Sequence, residues 1–253
     1  MSSLSRHLQI VRLPVLVGAF AWIVTSMAGA VTNFYNPNAV SFQVPLLKDF
    51  LLELTYHVFP FGKIPSNIIV DNLLLLSILM TILVGIVSST SASVGVRRGL
   101  MIASSVLLLR SLTILLTMEP NPTESCHADL SKGLLKSLLY SAVYQSCGDL
   151  MFSGHFTIYW VQILVMTEYV RSRLGYALLP VQLFGMVWVY LARLHYTNDL
   201  VIARVITSLV WYVYHVHVGL RGAQDSSTVG KMVRYIDQLY MPEYQDMERQ
   251  RLK

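Results

Sequence analysis

Apolar residues in this chain fall in long, nearly unbroken stretches divided by short polar ones, not in the one-sided stripe of an amphipathic helix on a soluble core. Leu13 to Tyr35, Asn67 to Ser88, Gly99 to Met118, Ser153 to Val170, Leu174 to Leu194 and Asp199 to Val218 each approach the roughly 20 residues that cross a hydrocarbon layer. The pattern predicts an all-α integral membrane protein, a six-transmembrane-helix bundle, because in lipid a spanning segment has to satisfy its own backbone hydrogen bonds. A polar segment, Glu119 to Phe152, separates the third stretch from the fourth and predicts a short amphipathic helix at Lys132 to Tyr144. Ala28-Gly29-Ala30 resembles a signal-peptidase site, but the apolar run before it is long for a signal peptide and reads as an uncleaved first helix.

Composition sharpens the class. Of 253 residues, 54% are hydrophobic and 13% charged, about half the charged share of a soluble domain. There is no Gly-rich phosphate loop, no cysteine set with zinc spacing and no low-complexity tract, so neither a metal nor another cofactor is expected. The net charge of +5 reflects topology, not nucleic-acid binding.

With the N-terminus cytosolic, Arg6, Arg12, Arg97, Arg98, Arg171, Arg173 and the basic residues of the tail share one side, and only Lys48, Lys63, Lys132, Lys136 and Arg193 share the other. That is the positive-inside bias. Residues 1–12 read as a cytosolic N-terminus, 1–218 as the catalytic transmembrane domain and 219–253 as a cytosolic tail. A membrane of the Golgi, endoplasmic reticulum or cell surface fits this layout. Crossing parity then places Cys147 to His155 and His195 to Asp199 on the same lumenal or exoplasmic face.

Those two segments carry the chemistry. His195 and Asp199 are four residues apart, so on a helix start they stack and the carboxylate orients the ring; the plain alternative is an interfacial histidine beside a helix-capping aspartate. In Ser153-Gly154-His155 the small residues let the backbone approach a phosphate while the ring points at it, and Ser153 is placed to cap the fourth helix. Arg110 and Arg204 sit inside apolar runs, where a charge costs ~3 kcal/mol or more, and are expected to face the bundle interior with Asp71 as a candidate partner. Either guanidinium is a candidate phosphate ligand, Arg110 the better one, and Glu119 is a candidate for headgroup choice. Cys126 and Cys147 fall on the oxidising side, either bridged or as free thiols.

Cys147-Gly148-Asp149-x-x-Phe152-Ser153-Gly154-His155, His195-Tyr196-Thr197-x-Asp199 and Arg110-x-x-Thr113-x-x-x-Thr117-x-x-Pro120 resemble the sphingomyelin synthase family, sphingolipid synthases of the lipid phosphate phosphatase superfamily. The likeness covers roughly residues 65–218. Phe156 stands where the family carries Thr, Glu119 where it carries an apolar residue, and the family's Pro-rich acidic motif is met only by Ile64-Pro65 and Asp71.

The resemblance implies that His195, held by Asp199, attacks the phosphorus of a glycerophospholipid while His155 protonates the diacylglycerol oxygen. Ceramide's primary hydroxyl, deprotonated by His155, then takes the phospho-headgroup. It implies His155, His195 and Asp199 as catalytic residues, with Asp149, Ser153, Gly154, Tyr196, Arg110 and Glu119 supporting or binding phosphate, and Asp149 favouring a charged His155. Partners are membrane lipids: the donor, ceramide and the diacylglycerol product, with a homo-oligomer left open. Choline or ethanolamine phosphate is preferred over inositol phosphate. The alternatives are a lipid phosphate phosphatase, disfavoured because the Lys-x6-Arg-Pro pattern is absent and Val189 stands six before His195, and a catalytically idle membrane scaffold.

Overall fold

The computed structural model describes residues 3–35, 47–58, 67–117, 119, 122 and 151–218, together with 228, 231, 233 and 235. The predicted Lys132 to Tyr144 helix, Asp149 and both cysteines lie outside the described residues. Regular structure among the described residues is entirely helical: α1 (Ser3–Tyr35), α2 (Phe50–Val58), α3 (Asn67–Ser88), α4 (Thr90–Leu116), α5 (Gly154–Val165), α6 (Arg173–Leu191) and α7 (Thr197–His217). Five of these, α1, α3, α4, α6 and α7, are long and apolar enough to cross a membrane. The fourth apolar run forms α5, 12 residues, continued by a π-helical turn at Met166–Val170 that ends on Arg171 in the left-handed conformation.

The chain divides into two compact units, Met1–Val205 and Ile206–Lys253. In the first, α4 is the central element, touching α1, α3 and α5. Small and hydroxylated residues set the α1–α4 seam: Thr25 Oγ1 donates to the Leu107 carbonyl at 3.0 Å and lies 2.9 Å from Ser111 Oγ. Such hydroxyl bridges are worth only ~1 kcal/mol each in a bilayer, and close backbone approach does the rest.

Two helix starts depart from the sequence expectation. The first run begins at Leu13 on hydropathy, yet α1 starts ten residues earlier at Ser3, within the stretch read as a cytosolic N-terminus. The third run begins at Gly99 on hydropathy, yet α4 starts nine residues earlier at Thr90, capped by Ser89, whose side chain accepts from the Ala92 N–H. Arg97 and Arg98 are therefore inside a helix and buried, with Arg98 donating to Tyr169 Oη at 3.1 Å. Small residues make this affordable: Gly95 lies directly beneath the Tyr169 ring, leaving room for the arginine's partner.

Arg204 also departs. Expected to face the bundle interior, it is exposed, with its guanidinium 4.6 Å from the centre of the Trp160 ring. The π-face supplies the compensating negative potential that a carboxylate was expected to give. Below the two histidine segments, Val70, Tyr159, Met186, Val189, Ala192 and Leu200 form a buried apolar cluster. A polar triad interrupts the interior of α3, α5 and α6, where Thr81 Oγ1 donates to Gln162 Oε1 at 3.1 Å and Gln182 Nε2 donates to Thr81 at 3.3 Å.

Candidate active site

His155 is the second residue of α5 and His195 lies in the short loop between α6 and α7, so each stands at a helix boundary. Ser153 caps α5, its hydroxyl accepting from the Phe156 N–H at 3.2 Å, a contact worth ~1 kcal/mol. The residue before it is strained. Phe152 has φ 28°, in the left-handed region that a bulky side chain avoids. Three contacts hold it there: its ring is fully buried, its carbonyl accepts from Arg110 Nε at 2.6 Å, and the next N–H, of Ser153, donates to the Asp199 carbonyl at 3.3 Å.

That last bond joins the two motifs. The cap of α5 sits against the first turn of α7, and Arg110 of α4 closes the third side. A Cβ added to Gly154 would lie 3.4 Å from the Arg110 guanidinium carbon, an ordinary van der Waals distance, so the guanidinium packs beside the start of α5. Arg110 thus holds the loop before His155.

Asp199 is fully buried and its Oδ2 faces two groups. It accepts the Tyr196 N–H at 3.0 Å and lies 3.7 Å from His195 Nδ1. The first contact is the reach-back half of a capping box, in which the third helical residue satisfies the amide of the cap. The second is longer than a hydrogen bond and becomes one with a shift of less than 1 Å, as catalytic contacts without ligand often require. The carboxylate is therefore both the helix cap and the neighbour of the ring. Its other oxygen, Oδ1, has no hydrogen-bond partner among the described residues.

His155 is engaged differently. Its Nε2 lies 2.7 Å from Asp71 Oδ1, with the His155 side chain 26% and the Asp71 side chain 52% exposed. Asp71 was expected to neutralise an intramembrane arginine; instead it pairs with the histidine, because α3 and α5 bring position 71 level with the start of α5. Motif reading met Asp71 in the remnant of the family's acidic motif but did not pair it with His155. A carboxylate in the first turns of a spanning run, beyond the hydropathy pattern, was its signal.

Two further acidic groups line the same end. Burial, and then the nearby Asp199 charge, push the Glu119 carboxyl above its ordinary value, and its Oε2 is buried without a hydrogen-bond partner among the described residues. Asp49, immediately before α2, accepts the Thr197 N–H at 2.6 Å through Oδ2 and the Thr197 hydroxyl at 2.9 Å through Oδ1. Burial works to raise its carboxyl, but the hydrogen bonds from Thr197, Leu52 and Leu51 outweigh it and hold the group below the ordinary range. Tyr196, buried, donates its backbone N–H to Asp199; its phenol is pushed up by burial, opposed by the Leu47 N–H at 3.4 Å and reinforced by the charges of Glu119, Asp199 and Asp49. No group of three or more His, Cys, Asp or Glu side chains with metal-binding geometry occurs among the described residues.

Comparison with known proteins gives a consistent picture. Residues 146–216 match the PAP2 superfamily C-terminal family. The chain is 36% identical over 72 residues to phosphatidylcholine:ceramide cholinephosphotransferase 2 of Caenorhabditis elegans, covering 27% of this chain and 22% of the relative. It is 30% identical over 94 residues to phosphatidylcholine:ceramide cholinephosphotransferase 1 of Gallus gallus, 36% of this chain and 22% of the relative. It is also 30% identical over 112 residues to phosphatidylethanolamine:ceramide ethanolaminephosphotransferase of Trypanosoma brucei brucei, 40% of this chain and 34% of the relative. The matched segments therefore span between about a fifth and a third of these relatives' own length.

Proposed function

We propose, from its likeness to the sphingomyelin synthase family, that this multi-pass membrane protein is a sphingolipid synthase that moves a phospho-headgroup from a glycerophospholipid to the primary hydroxyl of ceramide. The observation that carries the reading is the bond from Ser153 N–H to the Asp199 carbonyl. Through it the segment bearing His155 is seated on the segment bearing His195 and Asp199, next to the Arg110 guanidinium.

Each group has a role in the proposed cycle. His195 Nε2, the ring nitrogen turned away from Asp199, attacks phosphorus. The bond from phosphorus to the diacylglycerol oxygen breaks, its electron pair stays on that oxygen, and His155 supplies the proton. Nε2 of His155 is held by Asp71, which leaves Nδ1 to face the lipid. The headgroup-phosphoryl-histidine is then attacked by the ceramide oxygen, whose proton goes to His155, and the electron pair of the breaking phosphorus–nitrogen bond returns to His195. Asp71 orients the His155 ring through its contact with Nε2, a supporting role that the family resemblance implies for Asp149. Asp199 stabilises the imidazolium forming on His195.

One further feature favours a zwitterionic donor. The Asp71 carboxylate at this end of the bundle is about half exposed, which suits the ammonium of a choline or ethanolamine phosphate better than a neutral inositol. We further propose six spans, with α5 and its π turn as the fourth, an active site on the lumenal or exoplasmic face, and a catalytic domain of residues 1–218 followed by a cytosolic tail.

The test is direct. Purified protein is given fluorescent ceramide with phosphatidylcholine, phosphatidylethanolamine or phosphatidylinositol in turn, and products are separated by chromatography. A phosphosphingolipid from one of the first two donors supports the reading in full. Product from phosphatidylinositol alone overturns the headgroup assignment, and release of water-soluble headgroup phosphate with no ceramide product under any donor makes the protein a hydrolase.

A further inference from the structure

We propose that Asp49 is a positioning residue for the reaction: from a separate segment of the chain, it caps the start of α7 and thereby fixes Asp199 against His195. The inference rests on the transferase reading of the site. Its basis is an unusual division of labour at a helix N-terminus.

The first amides of a helix need acceptors from outside the helix, commonly a Ser, Thr, Asp or Asn side chain at the cap. The residue at the cap of α7 is Tyr196, whose phenol cannot fold back to do this. Asp199 supplies the reach-back half of the capping box, accepting the Tyr196 N–H. The forward half comes from Asp49, 148 positions away in the chain, which takes both the N–H and the hydroxyl of Thr197.

Asp49 is itself anchored. Its Oδ1 accepts the Leu52 N–H at 3.1 Å and its carbonyl accepts the Glu53 N–H at 2.9 Å, so the same carboxylate caps α2. Two residues earlier, the Leu47 N–H reaches the Tyr196 hydroxyl. A clasp of three hydrogen bonds thus ties residues 47–49 to Tyr196 and Thr197. Tyr196 in turn sets the carboxylate that faces His195. Asp49 touches neither ring nor substrate in this account; it acts through the peptide between Tyr196 and Thr197, and a small displacement there moves a 3.7 Å contact that has to shorten for catalysis.

Asp49→Asn separates positioning from folding. Asn caps helices as well as Asp does, so α2 keeps its cap through Oδ1, but the oxygen that accepts the Thr197 N–H becomes an amide NH2, a donor facing a donor. The expected result in the ceramide transfer assay is a fall in kcat of about tenfold, as loss of one charge-assisted hydrogen bond gives, with KM for ceramide unchanged and only the small fall in melting temperature that loss of a helix cap brings. Thr197→Val should cost less, and the double variant should be no worse than Asp49→Asn alone. Glu53→Gln, on the exposed side of α2, is the control and should match wild type.

A wild-type kcat in Asp49→Asn, or a loss carried by KM with kcat unchanged, overturns the proposal. A second readout does not depend on ceramide being the acceptor. The His195 side chain is 5% exposed, and opening the clasp should raise its rate of modification by diethylpyrocarbonate, followed by peptide mass spectrometry. An unchanged rate in Asp49→Asn refutes the clasp whatever the substrate, whereas a raised rate in a protein that transfers nothing to ceramide refutes the transferase reading instead.

Discussion

His155 and Asp71 meet at 2.7 Å across 84 positions of sequence, one from the start of α5 and the other from the first turns of α3. The pair joins a motif histidine to a carboxylate that stands in only a remnant of the family's acidic motif. In the proposed cycle Asp71 orients the ring that passes a proton to the leaving diacylglycerol.

Asp71→Asn keeps the shape and a hydrogen-bonding group but removes the charge. Ceramide transfer should fall by about tenfold or more, within the range that general acid–base catalysis supplies, while the protein remains in the membrane fraction. Turnover equal to wild type would remove Asp71 from the mechanism.

His195→Ala and Asp199→Asn remove the proposed nucleophile and its partner. Both should lower transfer by on the order of 100-fold or more, read with fluorescent ceramide in detergent. Because Asp199 also caps α7, its variant should lose thermal stability as well, by ~1 kcal/mol. His195→Ala should lose activity with a smaller effect on melting.

Glu119 gives a pH test. Its carboxyl is raised above the ordinary value by burial and by the Asp199 charge, so the folded state prefers it protonated. Its stabilising contribution is complete below the unfolded value near 4.5 and is lost as pH rises through the higher folded value. Glu119→Gln should therefore melt at a higher temperature than wild type at pH 7 and at nearly the same temperature at pH 4. A higher melting temperature for wild type at pH 7 would show that Glu119 is held by a partner.

Gly185 lies against the Tyr159 ring so closely that an added methyl would overlap it. Tyr159 is one helical turn beyond His155 and belongs to the cluster beneath the site. Gly185→Ala should cost ~1–3 kcal/mol, the usual penalty for overpacking, seen as a lower melting temperature. Gly18→Ala, where the nearest atom is Ser104 Oγ at 3.6 Å, should be tolerated.

Much of this was legible in the residues. Hydropathy located α3 at both ends and placed most of α1, α6 and α7, since the bilayer leaves a spanning helix few alternatives. It missed the start of α4 because Arg97 and Arg98 read as a loop, and the partner of buried Arg98 is a tyrosine more than seventy positions away, which composition along one helix does not reveal. The histidine motifs placed His155, Ser153, Gly154, His195 and Asp199 at helix boundaries, because capping leaves a local signature. Asp49 left no such trace, and Asp71 was visible only as a candidate arginine partner and a remnant of the acidic motif, not as the partner of His155. Their partners are set by how α2 and α3 lie against other segments, a tertiary fact, and an aspartate before an apolar run reads equally well as an ordinary cap.

The seating of the α5 cap on the first turn of α7 has one more consequence. Ser153 N–H and the Asp199 carbonyl both belong to the main chain, so no side-chain replacement at either position deletes the bond between them. The two helix starts are therefore coupled through backbone alone, and substitutions among the surrounding side chains can change what is bound beside them without pulling the segments apart.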